Sequence, residues 1–288
     1  MAATLNFATP DTTGGVRFVL DNDWTGTAQH PSPIDLVDFR DRASQLSLDR
    51  EGFVLDRVVS GVTDYLDPDQ VEARFLPAAR DTILRVTGGL WAVTFAGPAV
   101  RFSENDPRSN STSISAPARA VHADLAASFH FSQFARQPRA EEAAKELDRR
   151  LQGREPRRWK VFNIWQIISP PPQDVSLALC ALPSVRPEDY LLGQGYFAEA
   201  GTSVTETLSR SDAPSAFEIT FLRENPDQQW GYFSNMTPGE AIIFSTFDPE
   251  RGPGFNRVPH GAVTVPDAGP SAVPRSSIEV RALVVFEE

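Results

Sequence analysis

Apolar residues along this chain fall mostly in short runs or strict alternation, and a helical period appears in only two stretches. VRFVL (16–20) reads as a short strand, and the polar residues 21–34, which include two prolines, as a surface connection. Gly52 breaks LDREGFVLDRV ahead of a strand-like Phe53-Val54-Leu55. After Asp67-Pro68, the residues Val71, Phe75, Ala79, Ile83 and Val86 recur at three- and four-residue spacing, which predicts a helix with one buried stripe. Pro77 inside that stretch predicts a kink or a split, and Gly88-Gly89 predicts its end. LWAVTFAGPAVRF then reads as one or two strands. Pro138 predicts the opening of a second helix, striped by Ala140, Ala143, Ala144, Leu147 and Leu151 and stopped by Gly153.

Downstream the pattern is all strand. RRWKVFNIWQIIS puts Asn163, Trp165 and Ile167 on one face and Phe162, Ile164 and Gln166 on the other. Both faces are largely apolar, so this strand is expected to be buried. VSLALCAL, FEITFLREN, WGYFSNM, EAIIFSTFD, GAVTV and SIEVRALVVF follow, separated by Pro, Gly, Asn and Asp. Many short strands after two helices predict a mainly β fold with flanking helices, a sandwich or jelly roll.

Composition narrows the class. The 288 residues suit one large domain or two small ones; with no repeat and no linker, 1–288 is expected to form a single domain. An apolar fraction of 41% supports a substantial core, and a net charge of −11 argues against nucleic acid or an anionic membrane as partner. The single cysteine, Cys180, excludes an internal disulfide and a cysteine-rich zinc site and fits a reducing, cytoplasmic setting. MAATLNFATPDTTGG has neither the basic nor the apolar region of a secretory signal, and no apolar run reaches membrane-spanning length. The partner left by these exclusions is a small-molecule substrate; an oligomer is compatible with the pattern but leaves no mark in it.

The chemistry centres on PARAVHADLAASF (117–129). On an extended strand residues i and i+2 face the same way, so His122 and Asp124 would present an imidazole and a carboxylate together. Two histidines and one carboxylate, with the remaining positions open, make the facial triad of non-haem Fe(II) oxygenases, and His260, in FNRVPHGAV, is the candidate third ligand. The pair alone says little. With 38 acids in 288 residues, an acid stands two places after any given histidine about 13% of the time, and a surface histidine beside an aspartate is the plain alternative. Residues 103–116, SENDPRSNSTSISA, run into this segment as an exposed loop or as a flap over the site. Asn163 and Gln166 on the buried strand are either satisfied core amides or groups lining a pocket.

Several motifs in order resemble one family. VFNIWQIISPPPQDVSLALC, WGYFSNMTPGEAIIFSTFD, VPHGAV and PRSSIEVRALVVF, with TLNF, LDREGF and ILRVTGGLWAVTF in the first half, resemble the AsaB-type hydroxylase/desaturase family of secondary metabolism, whose relatives are linked to gibberellin desaturation and cephamycin methoxylation. The resemblance covers most of the chain. It implies a double-stranded β-helix (jelly roll, cupin-like) that uses Fe(II), 2-oxoglutarate and O2, with His122, Asp124 and His260 as metal ligands and catalytic centre.

A cosubstrate with a distal carboxylate needs a cation, and the arginine fork binds it bidentately. Arg275-Ser276-Ser277 resembles the Arg-x-Ser text that follows the distal histidine in related enzymes, giving Arg275 and Ser277 as cosubstrate residues. Arg281 is the rival cation, because an inward arginine in the last strand must be paired, and Asn163 is a further candidate. Arg119 is weaker: three residues before His122, it would face away from the metal on a regular strand. Trp165, Gln166, Trp230 and Tyr232 complete the candidate substrate pocket, with core packing an equal reading of the aromatics. The resemblance leads one to expect an arginine where Gln166 stands. The activity implied is oxidation of an unactivated C–H bond by hydroxylation, desaturation or oxidative cyclisation. The alternatives are a catalytically silent β-helix protein binding a small ligand or partner, and a metal-dependent isomerase or hydrolase that needs no keto acid.

Overall fold

Alternation in the sequence resolves into fourteen strands among the described residues of the computed structural model. They are β1 (Ala2–Ala8), β2 (Val16–Val19), β3 (Gln29–Asp35), β4 (Val37–Asp38), β5 (Phe53–Arg57), β6 (Trp91–Phe102), β7 (Arg158–Ile167), β8 (Val175–Cys180), β9 (Tyr190–Tyr196), β10 (Phe217–Leu222), β11 (Trp230–Tyr232), β12 (Glu240–Phe247), β13 (His260–Thr264) and β14 (Ser276–Glu287). The structure describes all residues except 13, 20–26, 111–115, 137–139, 197–202, 210–216, 253–256, 267 and 288. The start of the expected 21–34 connection, the centre of the 103–116 segment and Pro138 therefore lie outside the described residues.

The buried run RWKVFNIWQI becomes the middle strand of an antiparallel sheet ordered β5-β12-β7-β14-β6. Its period of two sorts side chains cleanly. Phe162, Ile164, Ile278, Val280, Ala282 and Val284 face outward and pack under the helices. Trp159, Val161, Trp165 and Ile167 face the interior. LWAVTFAGPAVRF is one strand, with a register shift against β14 between Glu279 and Arg281.

The expected first helix forms in pieces: α1 (Pro68–Gln70), a π turn over Val71–Phe75, and α2 (Leu76–Thr87). Pro77 falls in the first turn of α2, where a missing N–H is tolerated, and the ladder widens into the π turn just upstream. Gly88 closes α2 at φ +70, its N–H reaching the Leu84 carbonyl at 2.9 Å. The second helix, α3 (Glu141–Leu151), buries Ala143, Leu147 and Leu151. Its left-handed cap is Gln152 at φ +53, one residue before the expected Gly153, which follows at φ +77. The chain reverses over two successive left-handed residues, and the glycine supplies the second.

A second layer faces the large sheet. It consists of β13-β8-β11-β4 and β10-β9-β2, with the β1-β3 pair as a further two-stranded sheet. Here the expected polar connection is corrected: Gln29–Asp35 is a strand, paired with β1 from Ala2↔Asp35 to Ala8↔Gln29. Pro31 and Pro33 occupy alternate positions of an edge strand, where an N–H would point away from the partner and its loss breaks no ladder bond. Between the layers, Trp165, Ile167, Leu177, Leu179, Phe244 and Val258 form one cluster. Trp91, Phe95, Phe129, Trp159, Phe247 and Leu283 close one end, with Trp159 and Phe247 stacked at 5.7 Å. Each such side chain contributes roughly 1.5–3 kcal/mol on burial. The architecture is the double-stranded β-helix, with the stretch from α1 to α2 on the outer face of the large sheet and α3 packed into the interior-facing cluster that closes one end.

Candidate metal centre

His122 and Asp124 share a side for a different reason than the one expected. Residues 117–129 do not form a regular strand. His122 makes two isolated bridges, to His260 in β13 and to Phe221 in β10, and Ala120 bridges Asn6 in β1. The segment thus stitches the two halves of the second layer together. Asp124 then turns into the left-handed region at φ +41, a conformation uncommon for side chains with a Cβ but tolerated by aspartate. That turn, and not strand alternation, brings its carboxylate to the imidazoles. His260 opens β13 opposite Leu179, on the interior side.

The three groups are each about 5% exposed, and one ligand atom from each lies within 4.8 Å of the others. His122 Nε2 stands 3.8 Å from Asp124 Oδ1, and His260 Nε2 stands 3.8 Å from Oδ2. These gaps exceed hydrogen-bond length and suit donors converging on a shared ion. The tautomers follow from the partners. Nδ1 of His122 meets the Ala120 carbonyl at 2.8 Å, and Nδ1 of His260 meets the Val258 carbonyl at 3.0 Å. A carbonyl only accepts, so both Nδ1 atoms carry a proton, and the Nε2 atoms are the ones turned towards Asp124. Burial and then the adjacent His260 ring push the His122 imidazole down to about 3, which keeps it neutral. Burial alone would raise the Asp124 pKa; Arg281 and the two imidazoles outweigh it and hold the carboxyl well below its ordinary value. A neutral imidazole at His122 beside an ionised Asp124 is a protonation state that suits metal binding.

Two neighbours fix Asp124. Arg281 Nη2 donates to Oδ1, and Asn163 Nδ2 donates to Oδ2 at 3.3 Å. Asn163 and Arg281 are register partners across β7 and β14, so they emerge side by side. Arg275, just before β14, is 1% exposed, and its guanidinium lies 5.3 Å from the Trp165 ring centre. Its Nε and Nη1 have no hydrogen-bond partner among the described residues. Burial holds this guanidinium down to about 9, still charged at neutral pH. Ser277, also 1% exposed, opposes Ile167 on the same interior wall.

The other candidates lie elsewhere. Gln166 faces the helical side, where its Nε2 donates to Tyr65 Oη at 2.6 Å. Trp230 packs edge-on to Phe7 in the cluster under β1, and Tyr232 packs against the same cluster. Arg119 pairs with Glu104 at 2.8 Å and donates to Thr264. Sequence reasoning did not single out Arg101 and Glu279, an ion pair at 3.1 Å on the inner wall two residues along β14 from Arg281. Their signal was the alternation Ser277, Glu279, Arg281 against Ile278, Val280, Ala282.

The residues fit iron and a keto acid on the chemistry of the donors: two imidazoles, one carboxylate and, on the inner wall, a buried cation whose Nε and Nη1 have no partner among the described residues. Among the described residues, no helix is long and apolar enough to cross a membrane. A family model described as YDMC, oxidoreductase/YMDC permease-like domain, matches residues 5–285. The chain is 33% identical over 132 residues to the hydroxylase/desaturase asaB of Aspergillus flavus, covering 46% of this chain and 57% of that protein. It is 27% identical over 256 residues to the alpha-ketoglutarate-dependent dioxygenase phiK of a fungal species, covering 85% and 81%. The solved structure of the iron and alpha-ketoglutarate-dependent endoperoxidase NvfI has the same fold, with a TM-score of 0.73 at 22% identity over 100% of this chain and 98% of that one. The chain belongs to the family described as the oxidoreductase/YMDC permease-like domain, and it is an enzyme of the Fe(II)/2-oxoglutarate-dependent oxygenase superfamily.

Proposed function

We propose that this chain is a non-haem Fe(II)/2-oxoglutarate-dependent dioxygenase of the AsaB hydroxylase/desaturase type, acting as a single domain over 1–288. It oxidises an unactivated C–H bond of a small secondary metabolite or amino-acid-like substrate by hydroxylation, desaturation or oxidative cyclisation. The observation that carries the reading is one conjunction on the inner wall. A buried two-histidine, one-carboxylate cluster, carried by the second layer and held through Asp124 to that wall, accompanies a buried arginine whose Nε and Nη1 lack partners among the described residues. The printed names of asaB and phiK, a hydroxylase/desaturase and an alpha-ketoglutarate-dependent dioxygenase, support the same chemistry.

In this reading His122, Asp124 and His260 hold Fe(II), which supplies the oxidising power with O2 and the keto acid. Arg275 would receive the distal carboxylate of 2-oxoglutarate, with Ser277 as hydroxyl donor; the guanidinium would supply charge-assisted bonds, which its burial strengthens. Trp165 holds the guanidinium from its face. Leu177, Leu179 and Phe244 keep water from the interior beside His260. Asn163 holds Asp124 in place.

The test is an anaerobic titration with Fe(II) and 2-oxoglutarate, following the weak visible charge-transfer band of a chelated keto acid. A band that His122→Ala abolishes and Arg275→Ala weakens supports the assignment. Folded, iron-loaded protein that gives no band removes the keto acid from the mechanism.

A further inference from the structure

Arg275, just before β14, and Arg281, in the middle of it, are both cations beside the interior, but their surroundings differ. The Arg275 guanidinium has Nε and Nη1 without a hydrogen-bond partner among the described residues, whereas Arg281 Nη2 donates to Oδ1 of Asp124. Arg281 sits where β14 is held on both sides, opposite Asn163 of β7 and Phe95 of β6. Glu279 projects from the same face two residues away and is itself held by Arg101 through Nε and Nη2. The guanidinium therefore lies between two carboxylates, and their charge, against the opposing effect of burial, raises its pKa.

We propose that Arg281 is a positioning residue of the metal centre and not the cosubstrate cation: it claims Oδ1 of Asp124 and leaves Oδ2 as the oxygen offered to the metal. The assignment rests on the iron reading above. Asp124 needs such a partner because its turn brings the carboxylate to the imidazoles without fixing the plane of the group. The residue lies outside any regular strand and in the left-handed region, so its carboxylate plane is set by what it touches. Arg281 supplies a charge-assisted bond to Oδ1, and Asn163 only a longer contact, 3.3 Å, to Oδ2. Oδ2 is thus the less encumbered oxygen. A carboxylate presenting both oxygens would take one more metal position, and a keto acid binding through two atoms together with O2 needs three left open by the protein. Holding Asp124 to one donor oxygen keeps those three available. Outer partners of this kind typically change metal affinity by about 10–100-fold when removed.

The experiment measures two affinities separately in anaerobic full-length protein: Fe(II), and 2-oxoglutarate at saturating Fe(II). The variants are Arg281→Met, Arg281→Lys, Arg275→Met and His122→Ala, each checked for folding by circular dichroism without metal. The expected result is that Arg281→Met weakens Fe(II) binding by about 10–100-fold, Arg281→Lys recovers a large part of the loss, and the 2-oxoglutarate affinity of both stays within about threefold of wild type. Arg275→Met is expected to show the converse, with Fe(II) affinity kept and 2-oxoglutarate affinity lost. Co(II) substitution gives a second readout: the d–d band of Arg281→Met changes shape as coordination changes, and that of Arg275→Met does not. If Arg281→Met does not fold, Arg281→Lys alone carries the comparison, with the same split expected on a smaller scale. Arg281 variants that bind Fe(II) like wild type, or that lose 2-oxoglutarate affinity as Arg275→Met does, overturn the assignment. Wild-type protein that binds no Fe(II), or binds it indifferently to His122→Ala, overturns the metal-centre reading beneath it, a pattern distinct from losses confined to the Arg281 variants.

Discussion

Strands β7 and β14 run side by side through the large sheet, yet their shared inner wall changes character at one pair of residues. On one side of Arg281↔Asn163 the facing pairs are Leu283↔Val161 and Val285↔Trp159, buried in the cluster that closes the interior. On the other side they are Glu279↔Trp165 and Ser277↔Ile167, with Arg275 beyond. Ladder and pleat are the same throughout. The first half removes apolar surface from water; the second buries an arginine without a carboxylate partner among the described residues, an arrangement unfavourable in the protein alone. With Arg275 as the proposed cosubstrate cation, the sheet would separate the two tasks along its length, and stability and ligand binding are expected to change independently.

The largest effect sits at the boundary itself. His260→Ala and His122→Ala each remove one of two imidazole donors, and metal-dependent turnover is expected to fall by about 100-fold or more, beyond the range seen for outer-partner changes. Anaerobic Fe(II) binding measures it directly; retained affinity in both variants would contradict the site. Within the closed half, Leu283→Ala leaves a cavity among Trp91, Trp159 and their neighbours and is expected to cost about 2–5 kcal/mol in urea unfolding. The 2-oxoglutarate affinity of the folded fraction should not change. Arg275→Met is the opposite manipulation. It removes a buried cation over Trp165, so the band with 2-oxoglutarate is expected to disappear while the metal-free protein becomes more stable, by about 1 kcal/mol or more. If both variants lose stability, the division between the halves does not hold.

A pH series sharpens the comparison. The His122 imidazole titrates near 3 when folded and near 6.5 when unfolded. Above the unfolded value neither state binds the proton and stability is unaffected. As the pH falls from about 6.5 towards 3, the unfolded chain gains the proton first, so stability drops by up to about 1.4 kcal/mol per unit. Asp124, held below its ordinary value, adds a loss of the same sign at the acid end. Urea midpoints of the metal-free protein should slope downward across this window, and His122→Gln should flatten the upper part of the slope. A slope unchanged by that substitution would assign the acid sensitivity to other groups.

Much of this was legible because period-two patterning and register are local. RWKVFNIWQI and SIEVRALVVF showed their two faces in the sequence, and the structure keeps the alternation through Asn163 and Arg281. The helix before Gly88 was legible from its stripe. His122, Asp124 and His260 do come together, but for a reason the chain's pattern did not show, since Asp124 reaches the histidines through a left-handed turn and not through strand alternation. β1 and β3 escaped because QHPSPID is polar and proline-bearing; only the edge position makes it a strand. Which residues meet across the fold was not legible. That Trp230 packs on Phe7 depends on the outer layer, and that Gln166 meets Tyr65 depends on how the segment before α1 lies against the large sheet.

The smallest expected effect concerns an arginine close to His122 in sequence. Arg119 precedes His122 by three residues, but its guanidinium joins Glu104 at 2.8 Å, with the two side chains 31% and 44% exposed. An ion pair this accessible is screened by water and salt and contributes no more than about 1 kcal/mol. Arg119→Ala is therefore expected to shift the urea midpoint slightly, less at high salt, and to leave Fe(II) and 2-oxoglutarate affinities at wild-type values. Glu104→Ala should reproduce the small shift, and the double variant should add little to either single one, because both remove the same contact. A large loss of 2-oxoglutarate affinity in Arg119→Ala alone would move this residue from the surface to the open half of the wall, and the separation between binding and stabilising positions would then extend beyond β14 into the segment that carries the metal ligands.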